Sequence, residues 1–216
     1  MNTSLEEVIN YCADKIVNQT KRPLFLGIVG DSGSGKSYLT KLIKEKLETR
    51  SLSCVVINHD DFLISRVDRE PMKNIYYETG EFNGKSHWEV LENMFRLDDF
   101  QHVIQELKNG RCVEYHPYSR ETGTVSEKYV KVCPADIIIF DTSMMIEYMD
   151  YVILVDVTQE TIIKRKLIRD ADVRTPDQII DMHKRVQGYY WERARPSHAD
   201  IVIDNNDFSN IHIVSG

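Results

Sequence analysis

The chain has no surplus of positive charge. Its 216 residues carry 27 Lys and Arg against 34 Asp and Glu, a formal net charge of −7. A nucleic-acid backbone is bound through basic faces, so no nucleic-acid partner is expected. Long apolar runs are also missing. None approaches the ~18 residues of a spanning helix, so no membrane partner is expected. The N-terminus is polar and shows no secretory pattern. Cysteine is scarce and scattered: Cys12, Cys54, Cys112 and Cys133 form no metal-type pair, and reduced thiols in a cytoplasmic protein are expected. No repeat or low-complexity linker divides the sequence, so one domain over 1–216 is expected. A guanine-reading Asn/Thr-Lys-x-Asp segment is lacking too. The apolar run 151–155 leads instead into Asp156-Val157-Thr158, which counts against a GTP-dependent switch.

Glycine, with only ten residues, is concentrated where it matters. Residues 30–37 read Gly-Asp-Ser-Gly-Ser-Gly-Lys-Ser, the pattern Gly-x-x-x-x-Gly-Lys-Ser/Thr of a phosphate-binding loop. A short apolar run, 23–29, precedes it. Leu39, Leu42, Ile43 and Leu47 follow at helical spacing. A strand, a tight turn and a helix N-terminus make an anion nest, because consecutive N–H groups converge and the helix dipole adds to them. Gly30, Asp31, Ser32, Gly33, Ser34, Gly35, Lys36, Ser37 and the following Tyr38 are the candidate phosphate-binding residues. In such loops the lysine reaches the β/γ-phosphates and the hydroxyl after it binds Mg²⁺, roles that fall to Lys36 and Ser37.

Acids follow two apolar runs. Cys54–Ile57 ends in Asn58-His59-Asp60-Asp61-Phe62, and 135–140 is closed by Asp141. Ligands of open α/β sheets bind beyond the carboxyl ends of strands, so Asp60 and Asp61 are placed where a carboxylate could accept a proton or help hold a metal, and Asp141 is placed to support a metal. Ser4-Leu-Glu-Glu7 starts an amphipathic helix through a capping box. Residues 65–86 are polar and read as a long loop or irregular insertion. Helices are expected over 87–107, broken near 97–99 with Asp98 or Asp99 as a cap, and short paired strands over 111–132. Arg165, Arg169 and Arg174 make a basic stretch suited to a lid. Thr175-Pro-Asp-Gln178 starts a further helix, on whose apolar face His183 is expected to pack. Strands are expected at 23–29, 53–57, 135–140, 151–155 and 199–203. The sheet is then mainly parallel and five-stranded, with helices on both faces.

Together these segments resemble the uridine kinase and phosphoribulokinase family of P-loop kinases over about 23–206. The resemblance rests on 27–37, on Asn58–Phe62, on His87-Trp88-Glu89, and on Pro117-Tyr118-Ser119-Arg120. It also rests on Phe140-Asp141, on Arg169-Asp170 with Arg174, and on Ala199–Ile203. It implies a kinase-type P-loop NTPase with a β-hairpin acceptor element inserted at about 63–132 and a helical lid at about 164–176. ATP and Mg²⁺ are the implied cofactors, and the acceptor is a hydroxyl of a uridine- or cytidine-like nucleoside or a similar sugar alcohol. The implied base is Asp60, aided by Lys36, Arg169 and Arg174. Ser37 and Asp141 are the implied metal residues. Asp60, His87, Glu89, Tyr118 and Arg120 are the implied acceptor contacts. A homo-oligomer is left open. The sequence departs from the family pattern at Asp141-Thr142 (usually Glu-Gly), His87 (Asn), Glu89 (Asp) and Ser119 (Asp).

Overall fold

The computed structural model describes residues 4–79, 89, 92–143, 146–191 and 195–216. The chain divides into two compact units, Met1–Val56 with Ala135–Gly216, and Ile57–Pro134.

The first unit is built on a six-stranded sheet. Its centre is β1 (Leu24–Val29), whose Leu-Phe-Leu-Gly-Ile-Val sequence is buried at every position. A strand covered on both faces reads as an unbroken apolar run, which is what 24–29 is. It pairs in parallel with β7 (Ile137–Thr142) and β8 (Tyr151–Asp156), and β8 pairs in parallel with β9 (Ile201–Asp204). β2 (Cys54–Asn58) lies at the edge beyond β7. The five expected strands are joined by a sixth, β10 (His212–Ser215), antiparallel to β9. Sequence reasoning misses it because it is short, half-exposed and irregular between Ile213 and Ser215. Helix α1 (Leu5–Val17) starts at Ser4, whose hydroxyl accepts from Glu7 N–H while the Glu7 carboxylate accepts from Ser4 N–H. Val8, Cys12 and Ile16 of α1 and Leu39, Ile43 and Leu47 of α2 (Lys36–Thr49) are fully buried in one cluster with the sheet. Truncating any of these leucines to Ala is expected to cost ~2–5 kcal/mol.

The second unit begins with a short 3₁₀ turn, His59–Phe62. Where a loop was expected from 65, the structure has helix α3 (Arg66–Thr79), with Pro71 inside it. The proline deprives Val67 of a helical donor. Val67 is 73% exposed, so water can take that place. Helix α4 (Leu97–Lys108) buries Phe100, Val103, Ile104 and Leu107. It starts one residue before the expected cap: Arg96 occupies that position, and Asp98 and Asp99 lie in the first turn. Of the expected preceding helix, His87, Trp88, Val90 and Leu91 lie outside the described residues. The 111–132 segment forms two ladders, β3 (Val113–Tyr115) with β6 (Val130–Val132), and β4 (Tyr118–Ser119) with β5 (Thr124–Val125). Because Val113 faces Val132, Cys112 and Cys133 become neighbours and form a disulfide, correcting the expectation of reduced thiols at those two positions. Spacing hides the pair, since 21 residues separate them and only the antiparallel register joins them. Cys12 and Cys54 are free.

Candidate active site

The first unit shapes 30–37 into a cradle. Gly35 has φ 93° and caps α2 without any side-chain bond, so the first N–H groups of that helix carry no side-chain acceptor. Gly30 is required for space: a Cβ there would lie 2.5 Å from Ser34 Oγ and 2.9 Å from the Val155 carbonyl. The Asp31 side chain serves the loop itself. Its carboxylate accepts from Ser32 N–H at 2.5 Å and from Trp191 Nε1–H at 3.1 Å, and it is 1% exposed. Burial pushes the Asp31 carboxyl up, and Lys166 opposes that shift.

Lys36 and Asp141 meet, with Nζ 4.0 Å from Oδ1 and both side chains nearly covered. The register explains it. Asp141 lies beside Ile28 on the strand next to β1, and Lys36 opens the helix that follows β1. Ser37 is the next residue of that helix. Tyr38 is 53% exposed and lines a pocket of about 390 Å³ with Leu5, Leu39, Asn205, Phe208 and Ile211.

The basic stretch divides its labour. Arg169 is bound by Asp170 through Nε and Nη2 at 2.7 and 2.9 Å, and Arg174 Nη1 lies 3.7 Å from the same carboxylate. Arg169 holds the Asp170 carboxyl below its ordinary range. Arg165 turns instead to the loop. It donates to the carbonyls of Gly33 and Ser34 at 3.3 Å and of Asn205 at 2.5 Å, and lies 4.0 Å from the Phe208 ring centre. Asn205, fully buried, donates from Nδ2 to the Ser34 carbonyl at 2.7 Å. The i, i+4 spacing of Arg165 and Arg169 on α5 (Gln159–Arg169) gave no hint of these different partners. Lys166, 1% exposed, places Nζ 3.2 Å from Nδ1 of His183 on α6 (Pro176–Tyr189). Burial brings the lysine down to about 8 and the histidine down to about 4. His183 is the packed residue that its apolar face suggested, and its partner was not legible.

The second unit gathers acids and arginines of its own. Asn58 Oδ1 accepts from Asp60 N–H at 2.9 Å, fixing the turn. Asp60 Oδ2 accepts from Arg120, and His59 Nε2 lies 3.4 Å from Asp60 Oδ1. Asp61 is a separate centre. Its Oδ2 accepts from Tyr115 OH at 3.0 Å, and burial pushes its carboxyl up. Arg96 donates to the carbonyls of Asp61 and His116 at 2.7 and 2.6 Å, tying the 3₁₀ turn to the hairpin region. Tyr118 OH accepts from Arg69 Nη2 at 2.8 Å, with the guanidinium 4.8 Å from its ring centre. Thus Asp60 meets Arg120, and Tyr118 meets Arg69, which sequence reasoning missed because 65–86 read as a loop. Glu89 is exposed and lines a depression of about 500 Å³ with Glu92, Asn93 and Arg96. His87 lies outside the described residues.

Comparison with known proteins places this arrangement. Residues 25–211 match the Phosphoribulokinase / Uridine kinase family, so the chain belongs to that family. A uridine kinase of Bacillus mycoides is 28% identical over 205 residues, 91% of this chain and 88% of that protein. Uridine-cytidine kinase B of Dictyostelium discoideum is 22% identical over 217 residues, 96% of this chain and 81% of that protein. A D-glycerate 3-kinase structure from Cryptococcus neoformans superposes with a TM-score of 0.67 at 13% identity, covering 95% of this chain and 99% of that one. These findings make the chain a P-loop kinase, a phosphotransferase with an alcohol group as acceptor.

Proposed function

We propose that the protein moves the γ-phosphate of ATP to a hydroxyl of a small sugar-like alcohol. The uridine- and cytidine-like nucleosides suggested by its relatives are the first members of that class to test. The observation that carries this reading is the meeting of Lys36 with Asp141 beneath an open helix N-terminus. A cation for the β/γ-phosphates and an acid for the metal then belong to one cradle. The glycines fit the triphosphate, since side chains at Gly30 or Gly35 would collide with the loop's own braces. The adenine is assigned to the apolar pocket beside Tyr38 and Phe208.

Asp60 is the base. The acceptor hydroxyl gives its proton to the Asp60 carboxylate as its oxygen bonds to the γ-phosphorus. The bond from that phosphorus to the β-phosphate oxygen breaks, and ADP leaves. Arg120 has to leave Asp60 Oδ2 for that proton to be accepted. Lys36 balances charge on the transferring group. Arg169 and Arg174 exchange Asp170 for phosphoryl oxygens when the lid engages. Ser37 and Asp141 would hold Mg²⁺, which on binding neutralises charge on the phosphates and keeps several waters. The chain acts as one kinase domain in the cytoplasm. We assign its acceptor side to the insertion at about 63–132 and its lid to about 164–176. Acceptor-dependent ADP release in a coupled assay tests the reading. ATP binding without ADP release from any hydroxyl acceptor would overturn it.

A further inference from the structure

Asp60 lies in the middle of the 3₁₀ turn, and packing anchors that turn at its ends. His59 is 5% exposed, and its ring centre lies 5.3 Å from that of Phe95. Phe62 is fully buried, with its ring centre 5.1 Å from that of Phe100 and 4.9 Å from that of Tyr115. Backbone bonds then seat the turn on the segment before α4. Arg96 N–H donates to the Phe62 carbonyl at 2.7 Å, and Ile64 N–H donates to the Met94 carbonyl at 3.0 Å. The middle carries two carboxylates, which an apolar core does not take, so hydrogen bonds must set it. The Arg96 side chain supplies them. Its Nη2 donates to the Asp61 carbonyl at 2.7 Å and to the His116 carbonyl at 2.6 Å. Its Nη1 donates to Asp99 at 2.7 Å, and its Nε is buried. One guanidinium, itself held by α4, therefore ties the backbone beside Asp60 to the link between β3 and β4.

The ion pair alone does not call for arginine. Asp99 is 51% exposed and stands i, i+3 from Arg96, a surface pair that lysine would also make. What lysine lacks is a planar fork that holds two carbonyls and a carboxylate at once. We infer that Arg96 is a positioning residue for phosphoryl transfer: its grip on the Asp61 and His116 carbonyls sets the direction of the Asp60 carboxylate. This rests on the kinase reading above, with Asp60 as base, and adds a residue to it. Transfer tolerates little error in such a group, since a misplacement of about 1 Å can cost on the order of 10²-fold.

The test is a double-mutant cycle on the full chain with ATP and Mg²⁺. The acceptor is the hydroxyl compound that releases most ADP in the coupled assay, starting from uridine and cytidine. Arg96→Lys should slow single-turnover transfer at least tenfold, with the acceptor KM and the Kd for ATP within about threefold of wild type. In an Asp60→Asn background the same change should slow transfer less than about threefold, because the base it aims is gone. Losses that multiply in the double variant, or a raised acceptor KM with an unchanged rate, overturn the inference. Should Arg96→Lys fail to fold, Asp99→Asn takes its place. It frees Nη1 at an exposed position, and should slow transfer about threefold in the wild type and not in Asp60→Asn. Equal slowing in both backgrounds, or none in either, overturns the inference. A wild type that binds ATP and transfers to no acceptor defeats the kinase reading, and this inference falls with it. An active wild type with multiplying losses defeats the inference alone.

Discussion

The proposed nucleotide half and the proposed acceptor half are built by different means. The loop 30–37 is braced by groups that are nearly all covered: Asp31, Asn205, Lys36 and the grip of Arg165 on two loop carbonyls. Its donors are backbone amides whose positions the sheet and α2 dictate. The acceptor half relies on long side chains at partly exposed positions. Asp60 is 26% exposed and is met by Arg120 at 76%. Phosphate is common to every nucleotide, so its cradle can be rigid and written in backbone. An acceptor differs from enzyme to enzyme, and its site is written in replaceable side chains.

That contrast breaks first at the chemistry. Lys36→Met should lower kcat by about 10³-fold or more, because charge on the transferring group loses its fixed partner. Steady-state ADP release measures it, and a tenfold loss or less would remove Lys36 from that role. Asp60→Asn should lower kcat by about 10²–10⁴-fold and leave the affinity for ATP within about threefold. If ATP binding weakened as much as turnover, Asp60 would belong to the nucleotide half. Arg165→Met should raise the Kd for ATP about tenfold with little change in acceptor KM, since it releases the Gly33 and Ser34 carbonyls. An equal rise in acceptor KM would blur the two halves.

Stability against pH sharpens the comparison on the nucleotide side. His183 sits at about 4 against an ordinary 6.5, so the unfolded chain takes up the proton first. Stability should therefore fall as pH drops from about 6.5 towards 4, by up to roughly 3 kcal/mol. Lys166 sits at about 8 against 10.5, so stability should rise between those pH values as the unfolded chain alone holds the proton. Thermal unfolding of His183→Phe and Lys166→Met across pH 4–10 measures both slopes. His183→Phe should flatten the acid limb, and Lys166→Met should flatten the alkaline limb and also shrink the acid one, because the Lys166 charge helps hold His183 down. The smallest effect expected is Tyr115→Phe, which removes one hydrogen bond to Asp61 and should cost about 1 kcal/mol.

The sequence was most legible where backbone geometry carries the function. Gly30 to Ser37, the strand before them and the apolar runs at 137–142 and 151–156 leave little choice of structure. It was least legible where a role depends on which long side chain meets which. Arg165 and Arg169 look alike on one helix face, yet one grips the loop and the other is held by Asp170. Arg69 was hidden because Pro71 and a polar run disguised α3 as a loop. The Cys112–Cys133 bridge was hidden because register, not spacing, creates it.

The central claim is that Asp60 acts on an acceptor hydroxyl while the 30–37 cradle holds ATP independently of it. Single-turnover phosphoryl transfer and ATP binding, measured side by side for wild type and Asp60→Asn, test this most directly. The account predicts transfer slowed at least a hundredfold with ATP affinity retained. Transfer at near wild-type rate in Asp60→Asn would contradict it.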